Sequence, residues 1–147
     1  MKKIFWLILA VFTLWFAGAT TADAQVDGFR VYLSDDGECR RLTNNFHPWD
    51  VIYAFVVFSP TGQEQEMKFR WFAATGEEEQ IYSYSFNNIK KPGEQCAIFS
   101  WLALHPFPNG TYSPKFLGQW MLKIFLDGKK IADRQFLVSE ENEEGKK

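Results

Sequence analysis

Few residues of this 147-residue sequence have the chemistry and spacing of a reactive site. Its two histidines, His47 and His105, each stand directly before a proline at the end of a strand-like run. A zinc ion takes three or four converging side chains, and these two with Asp50 make too thin a set, so no metal is expected. No Gly-x-Ser-x-Gly elbow occurs, nor a glycine-rich phosphate loop. Glu77, Glu78 and Glu79 beside Gly76 read as a solvated turn rather than a pair of working carboxylates. The expectation is a protein that is not an enzyme and holds no cofactor.

The two cysteines, Cys39 and Cys96, form no Cys-x-x-Cys and have no histidine near them in sequence, which argues against a metal site or a catalytic thiol. A structural disulfide is expected instead, because a pair of thiols in an exported chain tends to close. Bridging about 57 positions would restrict the unfolded chain by on the order of 4 kcal/mol.

Export is read from the N-terminus. Met1, Lys2 and Lys3 precede an apolar run from Ile4 to Ala19, broken only by Thr13 and Gly18, and Ala22-Asp23-Ala24 supplies a small-x-small ending. A basic start, an apolar middle and such an ending make a signal peptide over 1–24. The run is shorter than the roughly 20 apolar residues of a spanning helix, so cleavage after Ala24 is expected, with no transmembrane segment left and a periplasmic or secreted product. An uncleaved anchor is the competing reading. What remains is about 123 residues with a formal charge of about −3, one domain in size. Its basic residues occur as scattered pairs, not as the clustered face that nucleic acid requires. The partner expected is a protein or a polysaccharide of the envelope.

Aromatic residues make up 18% of the sequence and supply the binding candidates. Tyr82, Tyr84 and Phe86 recur at period two and share one face, opposite Ser83 and Ser85. The segment from His105 to Phe116 carries three prolines together with Phe107, Tyr112 and Phe116, a stiff loop able to display rings at low entropic cost. Tyr82, Tyr84, Phe86, Phe107 and Tyr112 are the candidate binding residues; the alternatives are that the strip packs in the core and the loop caps an edge. Trp71, Trp101 and Trp120 alternate with polar or small neighbours and are expected to be buried, whereas Trp49 stays open.

The elements that must position these residues are strands. No stretch keeps a helical period for three turns, and strand-like runs recur over Phe29–Leu33, Cys39–Thr43, Asp50–Phe58, Glu66–Ala73, Gln80–Phe86, Gln95–Leu104, Gln119–Leu126 and Lys130–Val138. Turn residues separate them, among them Asp35-Asp36-Gly37 and Asp127-Gly128. The latter fits a two-residue hairpin, though the parity change between Ile131 and Phe136 demands a bulge or partial pairing. Val51–Phe58 is apolar on both faces, so its outer face needs cover or a partner. Seven or eight such strands over 25–138 argue an antiparallel two-sheet sandwich, with a small closed barrel as runner-up. The apolar-free tail 139–147 is expected to be mobile.

The run from Gly118 through Trp120, Asp127-Gly128 and Phe136 to Val138 resembles the closing hairpin of small immunoglobulin-like modules of bacterial envelope and secreted proteins. Trp49 to Phe55 and Phe69-Arg70-Trp71-Phe72 look like their earlier core strands. The resemblance implies an immunoglobulin-like β-sandwich serving as a binding or docking module, and it transfers no functional residue. An accessory domain that binds carbohydrate through exposed aromatics is the alternative role.

Overall fold

The structure, a computed structural model, describes residues 26–59, 62–87, 95–104 and 112–140. Eight strands follow one another: Phe29–Ser34 (β1), Asn45–Phe46 (β2), Val51–Phe58 (β3), Glu64–Phe72 (β4), Glu78–Asn87 (β5), Cys96–Ala103 (β6), Gly118–Leu126 (β7) and Lys129–Val138 (β8). Among the described residues, one 3-10 turn, Pro114–Phe116, precedes β7. One sheet has the order β1-β3-β6 and the other β2-β8-β7-β4-β5. Every pairing is antiparallel except the short β2 with β8. Two facing sheets with this interleaved order, first, third and sixth strands against the rest, form an immunoglobulin-like sandwich.

Strand alternation builds the core. Ile52, Ala54, Val56 and Phe58 of β3 face Met67, Phe69 and Trp71 of β4 and Trp120, Leu122 and Ile124 of β7, all buried. Phe136 of β8 lies against three rings: Trp120, stacked at 5.9 Å, Trp71, edge-on at 5.9 Å, and Phe46, edge-on at 5.6 Å. Edge-on and offset pairs at these separations add about 0.5–1.5 kcal/mol each beyond area burial.

The β7–β8 hairpin turns at Asp127-Gly128, and the Asp127 carboxylate accepts the Glu66 N–H at 2.8 Å, tying the turn to β4. The parity change in β8 is a bulge: Ile124 pairs with Ala132 and Phe125 with Lys130. Ile131 is the extra residue, which lets Ile131, Phe136 and Val138 all be buried.

Three expectations are corrected. Cys39–Thr43 is not a strand. The Asp36 carboxylate accepts the N–H groups of Glu38, Arg40 and Arg41 at 2.9, 3.1 and 2.8 Å, which removes those donors from any ladder. The Cys39–Cys96 disulfide is absent and the thiols are unbridged. Cys96 pairs with Phe58 at one end of β3, while the Cys39 loop lies at the other end, where Gly37 meets the Tyr53 ring. Five residues of strand separate those ends, roughly 17 Å, against a limit near 7 Å for a disulfide. Trp71 and Trp120 are buried, but Trp101 is 44% exposed, because β6 turns Ser100 and Leu102 inward and its rings outward.

The Asp36 loop makes an acid-dependent feature. The Arg40 N–H above all, with those of Arg41 and Glu38 and the Ser34 hydroxyl, outweighs burial and lowers its pKa from 3.8 to about 2. A lowered carboxylate pKa stabilises above the unfolded value and loses that contribution as pH falls toward the folded one. Amide exchange at Glu38, Arg40 and Arg41 is therefore expected to accelerate between pH 4 and 2, beyond the intrinsic pH dependence, and Asp36→Asn should show no such step.

Candidate functional site

The candidate site is the outer face of the three-stranded sheet. Register places Tyr32 of β1 beside Phe55 of β3, and Phe55 beside Phe99 of β6, a row of three rings across the sheet. In the next row along, Tyr53 of β3 pairs with Trp101 of β6. Phe55 and Phe99 touch with centroids 5.7 Å apart, and Phe55 stacks on Tyr53 at 6.3 Å. Phe99 is 47% exposed; Tyr32, Tyr53 and Phe55 are half-buried. Val51, Val57, Ala97 and Ala103 extend this surface toward both ends, and Arg30, opposite Val57, is the one charged side chain among the paired residues of this face.

Strand spacing and rise give this face roughly 350–400 Å², within the range of the largest, often functional, apolar patches on monomers. The outer face of the other sheet carries more charge, although Ile81 and Leu137 stand exposed on it at 53% and 37%. Lys68, Arg70 and Lys123 project there, Arg70 bonds Glu78 at 2.5 Å and lies 5.3 Å over the Phe72 ring, and Lys130 pairs with Asp133 at 2.9 Å. Charge masks the rings on one side of the molecule and leaves them open on the other.

The residues expected from sequence do not form one surface. Tyr82, Tyr84 and Phe86 point inward from β5: Tyr82 and Tyr84 lie 4.4 Å apart, Tyr84 meets Phe69, and Phe86 meets Phe58. Burial, together with a hydrogen bond to Tyr82, raises the Tyr84 hydroxyl pKa from 10.0 to about 12. Tyr82 keeps 38% exposure at the edge. Tyr112 stands elsewhere, perpendicular to the exposed Trp49 at 6.0 Å. Phe107 and His105 lie outside the described residues. The rings that sequence reasoning missed are Tyr32, Tyr53, Phe55, Phe99 and Trp101, and the signal for them was the doubly apolar β3.

Among the described residues no group of three or more His, Cys, Asp or Glu side chains is placed to hold a metal, and no helix is long and apolar enough to cross a membrane.

No family model matches the chain, and no curated protein does. Solved structures do. An alkylpurine DNA glycosylase of Pseudomonas fluorescens aligns at 10% identity with a TM-score of 0.49, over 76% of this chain and 30% of the glycosylase. The C-terminal domain of wzt aligns at 9% identity and 0.47, over 82% and 79% of the two chains. An immunoglobulin-like protein of Pseudomonas aeruginosa aligns at 11% identity and 0.43, over 83% of this chain and 100% of that one.

Proposed function

We propose that the chain is an exported, non-enzymatic binding module that docks a protein of the cell envelope on the outer face of its three-stranded sheet. One observation supports this reading above others: five rings from β1, β3 and β6 share this face, Phe99 and Trp101 nearly half exposed and the other three half-buried, with Arg30 beside them. Trp, Tyr and Arg are the residues that dominate protein interfaces, whereas a small-molecule or sugar site needs several convergent polar groups, which this face supplies sparsely. Replacing Phe99 and Trp101 together by Ser should cost about 1–2 kcal/mol of unfolding free energy, from lost cross-strand pairs and strand propensity, and leave the domain folded. The same change should cut retention of envelope proteins on the immobilised chain at least ten-fold. Retention unchanged by it, or no protein retained by the parent, would remove the proposal.

A second reading, the carbohydrate-binding accessory domain, is favoured by Trp49, 48% exposed and braced by Tyr112. An open indole offers a flat apolar surface to the C–H face of a sugar. Trp49→Ala should then lower polysaccharide retention several-fold, and equal retention dismisses this role.

A further inference from the structure

We propose that β6 is a docking edge, on which an extended, uncharged segment of another polypeptide, about eight residues with alternating side chains, pairs as the fourth strand of the three-stranded sheet. This rests on the reading of the chain as a binding module and names the mode of attachment.

That sheet has two edges, and one is blocked. Along β1, the Leu33 carbonyl accepts the Thr43 N–H at 3.1 Å, the Val31 carbonyl accepts Arg134 Nε at 3.4 Å, and Ser34 bridges to Leu42. Along β6, among the described residues, one bond is given to the side away from β3: Gln80 Nε2 donates to the Trp101 carbonyl at 3.1 Å. A paired strand turns its main-chain groups to alternate sides, so those of Ala97, Phe99 and Ala103 point the same way as the Trp101 carbonyl. A row of open N–H and C=O groups is a template for a further strand, and it selects a polypeptide, the polymer that carries matching groups at the same repeat.

β1 adjoins β8 through Arg134 at one side of the sandwich. At the other, Phe86 of β5 packs on Phe58 of β3, while the Gln80–Tyr82 end of β5 stands beside the β6 edge, where Gln80 reaches the Trp101 carbonyl. Tyr82 is half-open on its inward side, although its neighbour Phe69 is buried. A strand beside β6 would cover the open sides of Tyr82 and Tyr84. A second copy offering the same edge would drive its own β5 into that space, so the fit is to a segment standing clear of its own domain. The outer face is smaller than the roughly 800 Å² that a stable interface takes from each partner, and an added strand supplies contact beyond it.

The test uses the full chain, processed as its host processes it, with two synthetic probes: capped (Thr-Val)4 and the same peptide N-methylated at every residue, which leaves no N–H on either edge. The unmodified peptide should bind and slow amide exchange at Ala97, Phe99 and Ala103 at least ten-fold. The methylated one, which cannot complete the ladder, should bind at least ten-fold more weakly. Ala97→Pro, which removes an outward N–H and spares the ladder to β3, should weaken the unmodified peptide at least five-fold; if that variant does not fold, the peptide pair decides alone. Equal binding of both peptides, no binding of either, or a dimer in which the same amides are already protected would overturn the proposal. Partner retention lost in the Phe99→Ser, Trp101→Ser variant but kept in a folded Ala97→Pro would remove strand addition while leaving the binding module intact; loss in neither removes both.

Discussion

Trp120→Ala is expected to cost about 3–5 kcal/mol, the range for deleting a large buried aromatic. The ring has no exposure, stacks on Phe136 and lies 6.1 Å from Phe116. Its Nε1 donates to the Phe116 carbonyl at 2.8 Å, so it also fastens the 3-10 turn to the core. A domain of this size holds about 5–15 kcal/mol in all, and the loss should lower the urea midpoint by roughly two-fifths at mid-range values. Trp120→Phe keeps the stack and gives up the hydrogen bond, so its midpoint should fall between the two. A loss under 1 kcal/mol for the alanine variant would contradict the packing described.

Gly118→Ala should cost about 3 kcal/mol, from two sources. Gly118 has φ +119°, a backbone that side chains rarely adopt, and a methyl built there would stand 2.8 Å from Cβ of Ala74. Strain of that kind costs about 1–3 kcal/mol, and forced overpacking a similar amount. Ala74→Gly in the same chain removes the collision and keeps the strain. A double-mutant cycle should therefore recover at least 1 kcal/mol; additive losses would show that no collision occurs.

Features carried by local chemistry were legible. Asp127-Gly128 marks its hairpin because an αL-tolerant residue followed by glycine matches strand twist, and the parity change in β8 marks the bulge at Ile131. The unmet outer face was announced by Val51–Phe58, apolar at every position. What could not be read is set by non-local pairing. Tyr32, Phe55 and Phe99 come together only through the β1-β3-β6 register, and no window of sequence contains that row. β6 misled because it is apolar on both faces, so period alone does not say which set turns inward, and the sheet buries Ser100 rather than Phe99 and Trp101. The Cys39–Thr43 run has strand-like composition, yet one carboxylate at Asp36 claims its N–H groups first. Tyr82, Tyr84 and Phe86 do share a face, as their spacing implies, but that face looks into the sandwich.

The contrast between the two outer faces has a mechanical consequence. A body with a ring-lined broad side and a lysine- and arginine-bearing one has an intrinsic up and down. At a boundary between water and a less polar phase it is expected to favour one way round, with β4 and β7 wetted. Orientation of that kind turns a search through all rotations into a search within a plane, and shortens the path to a neighbour anchored on the same boundary.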